Sequence, residues 1–202
     1  IESFHMEAVK DDPTVMSEKL KEAAKAADMI ITTGGVSVGK KDIMHESLRL
    51  MGAERIFWRV KMKPGMPTLF SAYKKTSDIT ATDYCVSERE IPIISLSGNP
   101  FGVAVSIELL IRPALEKMMQ DPSIGLKEVN GIMADNFEKG IKGRRFIRAY
   151  LENGKFHLPK GLHSNGVLSS MAGCNCLIDT KTMENQESRS LNAGDKVGAI
   201  LL

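Results

Sequence analysis

The strongest constraint on the fold is a change of hydrophobic pattern around residues 121–125. Before that stretch, the apolar runs at 29–32 and 91–96 are each followed by a loop and then by helical spacing. After it only short alternating runs occur, and Asn153-Gly154 has the composition of a two-residue hairpin turn. The first pattern is typical of a layered α/β domain with a mostly parallel sheet, and the second of a small all-β barrel or sandwich.

The same change of pattern divides the chain. We predict an α/β domain at residues 1–120 and a β domain at residues 126–202, separated by a polar linker. Within the first domain the alternating residues 1–9 predict a strand. Asp12-Pro13 predicts a helix start, because Asp caps helices and Pro fits the first turn. A long apolar helix is expected from about residue 101 to residue 119.

Composition narrows the classes of function. The chain has 27 Lys and Arg residues against 25 Asp and Glu, interleaved throughout, so no basic surface for nucleic acid is expected. No apolar run approaches the ~20 residues that a membrane helix needs, and no signal peptide is recognisable. The three cysteines are too few, and odd in number, for a disulfide framework. We therefore expect a cytoplasmic protein that binds neither nucleic acid nor membrane.

The segment Gly34-Gly35-Val36-Ser37-Val38-Gly39 lies between a predicted strand and a predicted helix. Ligands bind at the carboxyl ends of strands in open α/β sheets, where glycines let the backbone approach a phosphate and helix N-termini offer N–H groups. The spacing nearly matches a nucleotide-binding P-loop, but Lys41 stands where that motif needs the Ser or Thr that holds magnesium. A nucleoside triphosphatase is therefore not expected, and a purely structural glycine turn stays the alternative.

Asp42 follows this loop and has two interpretations. It can cap the helix that is predicted to run to Gly52, where a left-handed glycine would end it. It can instead hold magnesium, or orient a nucleophile, beside the phosphate loop. The position of Asp42 in the sequence does not separate the two.

Two further turns carry polar groups at the ends of strands. Lys63-Pro64-Gly65 is either a plain turn with a solvated lysine or a rigid support that aims an ammonium group at an anion. Ser97-Gly98-Asn99-Pro100 is a second strand-to-helix turn of the same kind as the glycine loop. Because loops at neighbouring strand ends face one cleft, this coincidence favours a binding role for both strand-to-helix turns.

The basic and sulfur-containing residues of the C-terminal half are open to more than one interpretation. Arg144, Arg145 and Arg148 form the densest basic cluster, which is either a solvated face or an anion contact. Cys174 and Cys176 have no second Cys or His pair at metal-ligand spacing. We interpret them as small apolar strand residues.

Taken together, these loops resemble the molybdopterin molybdotransferase family, which includes MoeA and the E domain of gephyrin. The matching segments are Thr33 to Gly39 with Asp42, then Met62-Lys63-Pro64-Gly65, then Gly98-Asn99-Pro100, in the order and separations of the family. Further fitting segments are Asp11-Asp12-Pro13, Gly143-Arg144 with Phe146 and Arg148, residues 161–170 and Gly194-Asp195. The resemblance covers nearly the whole chain and identifies it as similar to the C-terminal portion of these proteins.

The resemblance implies a three-layer pterin-binding domain, like those of MoaB and MogA, followed by a β-barrel domain. It implies that the protein inserts molybdate into adenylylated molybdopterin and releases AMP, that Mg²⁺ is required, and that the full-length protein is a homodimer. Asp42 would be catalytic and hold the metal, and Lys63 would pair with phosphate or molybdate. The substrate-binding residues would be Thr33, Gly34, Gly35, Val36, Ser37, Gly39, Pro64, Gly65, Ser97, Gly98, Asn99, Pro100 and Arg148.

The chain departs from the family pattern in three places. Met66 stands where the family usually has Lys, Ser97 where it usually has Pro, and Phe101-Gly102 where it usually has Val-Ser. These changes remove an ammonium group and a hydroxyl group near the expected anion, with Ser97 as a partial replacement. A non-catalytic pterin-binding or scaffold protein with a degraded site is therefore the alternative to the enzyme.

Overall fold

The computed structural model describes residues 1–36, 42–75, 89–138, 144–160, 168–180 and 190–202. The chain forms two compact units. We call Ile1–Arg59 with Pro67–Gly98 the sheet unit, and Val60–Met66 with Asn99–Leu202 the barrel unit. The helix after residue 98 is thus grouped with the C-terminal strands, whereas the hydrophobic pattern puts the domain boundary at residues 121–125. That boundary stays a prediction.

The described residues contain the following elements. The α-helices are α1 (Pro13–Ala26), α2 (Met44–Met51), α3 (Pro100–Ser106) and α4 (Arg112–Met119). The strands are β1 (Ile30–Thr33), β2 (Glu54–Trp58), β3 (Met62–Lys63), β4 (Leu69–Lys75), β5 (Arg89–Leu96), β6 (Lys127–Met133), β7 (Arg144–Glu152), β8 (Lys155–His157), β9 (Cys176–Asp179) and β10 (Lys196–Leu201). A π-helical turn, Ile107–Ile111, joins α3 to α4, and together they form the expected long helix. Within the described ranges, no helix combines the length and the apolar character that crossing a membrane requires.

The sheet of the sheet unit is mixed. Its strand order is β1-β5-β4-β2, with β1 and β5 parallel and the other two neighbouring pairs antiparallel. A mostly parallel sheet is therefore not confirmed. An apolar run predicts a buried strand but does not set the direction of its neighbour, and β4 lies antiparallel to β5 from Leu69↔Ser95 to Lys75↔Arg89.

Two helices build the core of the sheet unit together with the sheet. Leu20 of α1 packs in one cluster with Met44 and Leu48 of α2 and with Ile30 and Ile93 of the two parallel strands. Burial of such side chains stabilises the fold by about 1.5–3 kcal/mol each relative to exposure. The core therefore anchors α2, whose N-terminal end follows the glycine loop.

The helix boundaries predicted for this unit are confirmed at two ends. The Asp12 carboxylate accepts hydrogen bonds from the N–H groups of Thr14 and Val15, at 2.8 and 3.2 Å. Gly52 ends α2 in the left-handed conformation, at φ 86°. The predicted strand over residues 1–9 is wrong, because these residues have no regular secondary structure and nearly all are exposed. Alternation does not make a strand where no neighbour takes up its backbone hydrogen bonds.

A closed five-stranded barrel forms the main part of the barrel unit. Its strands follow the order β7-β8-β6-β10-β9, and a pairing of β9 with β7 closes the ring. The short strand β3 adds to β7 as a parallel partner. The predicted small barrel is thus confirmed. The predicted hairpin turn joins β7 to β8, with Asn153 and Gly154 at φ 50° and 75°, as a type I′ turn requires.

Side chains of β7 alternate between two hydrophobic clusters. Ile147 and Ala149 belong to the cluster that fills the barrel. Phe146 belongs to a second cluster, which contains Phe101 of α3. Because successive strand residues point to opposite faces, Arg148 shares the face of Phe146, the face that packs against α3.

Candidate functional site

The glycine loop leaves β1 next to β5. Gly34 and Gly35 have φ values of 89° and 67°, which L side chains rarely adopt. The Gly34 N–H donates to the Leu96 carbonyl of β5 at 2.9 Å, and the Gly35 carbonyl accepts from the Met44 N–H at 3.1 Å. The loop is therefore fixed between the sheet and the first turn of α2.

The other predicted residues of this loop have different surroundings. Thr33 is exposed as the last residue of β1, whereas Val36 is buried. Ser37 and Gly39 lie outside the described residues. The backbone around Gly34 and Gly35 is thus the part of the loop whose geometry can be related to a ligand.

The second strand-to-helix turn begins beside the first, because β1 and β5 are parallel neighbours. A Cβ atom added to Gly98 would lie 3.6 Å from the Gly34 Cα. Ser97 is only 8% exposed, and its Oγ has no hydrogen-bond partner among the described residues. A buried hydroxyl without a partner costs free energy, so Ser97 is a candidate for contact with a ligand.

The side chain of Trp58 in β2 holds the backbone of the glycine loop. The indole N–H of Trp58 donates to the Val36 carbonyl at 3.0 Å. The indole is itself fixed, because the His45 ring meets it edge-on at 4.7 Å between centroids and the Arg59 guanidinium lies 4.2 Å from its centre. No motif singles out Trp58 in the sequence, since a tryptophan at strand period is most often a core residue.

Asp42 lies directly before the start of α2. The N-cap position of that helix is Ile43, which makes no side-chain capping bond. Burial and the nearby Arg55 lower the pKa of His45, and Asp42 opposes them by raising it. The half-buried Asp42 carboxylate therefore acts electrostatically at the start of α2.

The Lys63 turn belongs to the barrel unit. The Lys63-Pro64 peptide bond is cis, and Gly65 follows at φ 99°. A Cβ atom on Gly65 would lie 2.7 Å from both Met62 Cε and Ser106 Oγ, so glycine is required there. Pro64 and Gly65 are buried and Lys63 is exposed, so the turn presents the lysine side chain from a packed base.

Asn99 and Pro100 start α3. The Asn99 side-chain oxygen accepts a hydrogen bond from the Gly102 N–H at 3.1 Å, and Pro100 occupies the first turn. Their local role is that of a helix start. A contact of these two residues with substrate stays a prediction.

The barrel unit contains a small pocket, which we call the basic pocket. It is lined by Lys63, Pro64, Phe101, Phe137, Arg145, Phe146, Ile147 and Arg148. Its cavity volume is about 30 Å³, well below that of a typical ligand pocket, so it has room only for a group of a few atoms. Among the described lining residues three are cationic and none is acidic, so the basic pocket suits a small anion.

The two arginines of the basic pocket are poorly hydrated. Arg148 is 1% exposed, and its guanidinium lies 4.3 Å from the centre of the Phe101 ring. Burial lowers the pKa of both Arg148 and Arg145. Because arginine nevertheless stays protonated in proteins, the basic pocket keeps its positive charge.

Arg144 has a different environment from its two neighbours. It forms an ion pair with Asp179, with its Nη2 at 2.7 Å and its Nε at 2.8 Å from Oδ2. Of the three arginines in the basic cluster, Arg145 and Arg148 thus line the pocket and Arg144 does not. Of these arginines, only Arg148 was predicted from the sequence to bind substrate. Membership of the basic cluster was the only sequence feature that pointed to an anion contact by Arg145.

Metal ligands are sparse. Among the described residues, no group of three or more His, Cys, Asp or Glu side chains could hold a metal ion. Burial raises the pKa of Cys176 to about 12, which fits its interpretation as an apolar strand residue. Mg²⁺ in phosphate sites often takes only one or two protein carboxylates and completes its shell with substrate oxygens and water. Asp42 is compatible with such a site.

Two family models match the chain. One is described as a probable molybdopterin binding domain and matches residues 1–117. The other is described as the MoeA C-terminal region, domain IV, and matches residues 130–202. The resemblance inferred from the sequence motifs is therefore confirmed.

Curated relatives agree with these matches. The chain is 30% identical over 195 residues to a molybdopterin molybdenumtransferase of Staphylococcus aureus (strain Mu50 / ATCC 700699), covering 95% of this chain and 42% of that protein. It is 27% identical over 178 residues to a protein of the same name from Bacillus subtilis (strain 168), covering 87% and 38%. The chain thus spans about two fifths of the length of the curated relatives that it matches.

Solved structures share the fold. A molybdopterin biosynthesis moeA protein from Pyrococcus horikoshii OT3 matches with a TM-score of 0.66 and 23% identity, covering 96% of this chain and 40% of that chain. A molybdenum cofactor biosynthesis protein from Pyrococcus furiosus matches with a TM-score of 0.65 and 20% identity, covering 96% and 56%. The similarity supports an α/β domain followed by a small barrel.

Proposed function

The chain belongs to the family of probable molybdopterin binding domains, and from this premise we propose that it acts in molybdenum cofactor biosynthesis. The proposed reaction inserts molybdate into adenylylated molybdopterin and releases AMP. We propose it for the full-length protein, since the relatives named molybdopterin molybdenumtransferase are more than twice as long as the matched part.

The sheet unit would bind the pterin and its phosphate group. Gly34 and Gly35 support this role, because the absence of side chains lets a phosphate approach the backbone. The Gly34 N–H already donates to Leu96, so Gly34 would contribute this close approach and not a hydrogen bond. The buried Ser97 hydroxyl would donate to the ligand. Thr33, Val36, Ser37, Gly39 and Gly98 complete the proposed contacts.

Asp42 is proposed as the catalytic carboxylate and as the protein ligand of Mg²⁺. Its support is its position directly after the glycine loop and its electrostatic effect on His45. Bound Mg²⁺ would offset the negative charge that develops when the phosphoanhydride bond breaks. The Asp42 carboxylate would orient the reacting group relative to the fixed backbone of the loop.

The barrel unit would hold the oxyanion. Lys63 and Arg148, singled out in separate sequence motifs, both line the basic pocket, and this observation carries the proposal. Their positive charges would offset the negative charge of molybdate. The Arg148 guanidinium, which lies against Phe101, would orient the molybdate oxygen atoms. Four residues would act by building the turn and the helix start that frame the pocket: Pro64, Gly65, Asn99 and Pro100.

Titration of adenylylated molybdopterin into the full-length protein, with Mg²⁺ and molybdate and an assay for AMP, tests this function. We expect binding with release of AMP. Asp42→Ala should abolish release, whereas Asp11→Ala, which removes an exposed carboxylate outside the loop, should leave it unchanged. If the protein binds the substrate without releasing AMP, and Asp42→Ala does not change this binding, a non-catalytic pterin-binding or scaffold protein is favoured. No binding would contradict both functions.

Two further properties are proposed from the family resemblance. The full-length protein would be a homodimer and would act in the cytoplasm. Light scattering at assay concentration tests the first, where a monomeric mass would contradict it. Fractionation of cells that express the protein tests the second.

A further inference from the structure

We propose that Arg145 determines the charge specificity of the basic pocket, so that the pocket prefers divalent tetrahedral oxyanions over monovalent ones. The inference rests on the proposed function for its choice of ligand. Arg145 would touch the anion, together with Lys63 and Arg148. Its support comes from its position in β7, from its surroundings and from the charge of the pocket.

The backbone fixes the base of the Arg145 side chain. Arg145 lies opposite Lys63 in the parallel pairing of β7 with β3. Its carbonyl accepts hydrogen bonds from both the N–H and the hydroxyl of Thr180, each at 3.0 Å. Two cations on neighbouring, paired strands are thereby brought to one pocket.

The Arg145 guanidinium has no acidic partner among the residues that the structure describes. In the part of the chain that the structure describes, no carboxylate lies within 4.0 Å of its guanidinium, in contrast to Arg144 with its partner Asp179. The guanidinium lies 5.7 Å from the centre of the Phe137 ring, and burial lowers its pKa. A partly buried cation next to aromatic rings is stabilised by an anion that replaces the lost water.

The charge of the pocket sets the expected selectivity. Lys63, Arg145 and Arg148 line it, with no acidic residue among the described lining side chains. Coulomb energy is proportional to the product of the charges, so each cation attracts a dianion twice as strongly as a monoanion of equal size. Removing Arg145 should therefore weaken dianion binding much more than monoanion binding.

Tungstate and perrhenate provide the test, because both are tetrahedral and nearly equal in size but differ by one unit of charge. Calorimetric titrations at pH 8 with the 202-residue chain should show tighter binding of tungstate than of perrhenate. In Arg145→Gln we expect the tungstate Kd to rise by about tenfold or more, as for the loss of one charge-assisted contact, and the perrhenate Kd by about threefold or less.

Two further variants control this result. Arg144→Gln removes a neighbouring arginine that is paired with Asp179, and it should leave the preference for tungstate unchanged. Arg145→Lys keeps the charge and should keep the preference, which also covers the case in which Arg145→Gln fails to fold. Equal losses for both anions in Arg145→Gln, loss of the preference in Arg145→Lys, or no binding by the wild-type chain would each overturn the proposal.

Inorganic phosphate, largely a dianion at pH 8, distinguishes the two sources of such a ligand. If Arg145→Gln weakens phosphate binding as much as tungstate binding, the natural ligand would be the phosphate group of a substrate. If the pocket binds tungstate but not phosphate, the natural ligand would be a free metal oxyanion. Either result supports the role of Arg145. AMP release tests the reaction separately: its absence, with charge selectivity intact, would contradict the proposed function and leave the pocket specificity standing.

Discussion

The glycine loop of the sheet unit and the basic pocket of the barrel unit both suit anions, but they do so with different chemistry. The loop offers backbone at Gly34 and Gly35, held by hydrogen bonds to β5 and α2. The pocket offers the charged side chains of Lys63, Arg145 and Arg148 between aromatic rings. A backbone site depends on conformation, whereas a side-chain site depends on charge. Substitutions should therefore affect the two regions in different ways.

Removal of charge from the basic pocket should have the largest effect. Arg148→Met keeps an unbranched apolar stem against Phe101 but removes the guanidinium. We expect the tungstate Kd to rise by about 10- to 100-fold, since a hydrogen bond to a charged group contributes about 1.5–3 kcal/mol. Isothermal titration measures this change. Lys117→Met, which removes an exposed lysine of α4 outside the pocket, is the control and should leave the Kd unchanged.

A change of conformation should instead disturb the glycine loop. Gly34→Ala introduces a Cβ at φ 89°, where no atom lies within 4 Å, so any cost is conformational and not steric. We expect the free energy of unfolding to fall by about 1–2 kcal/mol and pterin binding to weaken. Gly98→Ala is the matched control for stability alone, because its Cβ would make an ordinary contact at 3.6 Å. Urea unfolding compares the two variants, and equal losses would contradict a role for the positive φ.

Trp58 tests whether the glycine loop is held from outside. Trp58→Phe keeps an aromatic ring but removes the indole N–H that donates to the Val36 carbonyl. We expect a loss of about 0.5–1.5 kcal/mol in the free energy of unfolding, as for one hydrogen bond, and faster amide exchange around Gly35. The basic pocket does not include this bond, so the tungstate affinity should stay the same. Unchanged exchange around Gly35 would show that Trp58 does not hold the loop.

The contrast between a backbone site and a side-chain site also explains how much could be predicted from the sequence. Glycine spacing between a strand and a helix identified the glycine loop, because the conformations at Gly34 and Gly35 require that residue type. The barrel was predictable from alternating runs and from the Asn153-Gly154 turn. The mixed sheet was not, since an apolar run is compatible with either neighbour direction.

Side-chain partners were also beyond sequence reasoning. Arg144 and Arg145 are adjacent in the sequence and chemically identical, yet one pairs with Asp179 and the other lines the basic pocket. The difference depends on the pairing of β7 with β3 and β9, which joins residues far apart in the chain. The contact between Trp58 and Val36 likewise depends on long-range packing.

Lowering the pH should have the smallest of these effects, and it should change the surroundings of the glycine loop but not the charge of the basic pocket. Burial and Arg55 lower the pKa of His45 below its ordinary value of 6.5, against the opposing effect of Asp42. The unfolded chain therefore takes up this proton first as the pH falls, so the contribution of neutral His45 to stability is complete above about pH 7 and declines below pH 6.5. Urea unfolding at pH 7.5 and pH 5.5 should show a larger loss in the wild-type chain than in His45→Gln. Equal losses would mean that His45 does not couple to folding. The arginines of the basic pocket do not titrate in this range, so its charge should persist while the packing around Trp58 weakens.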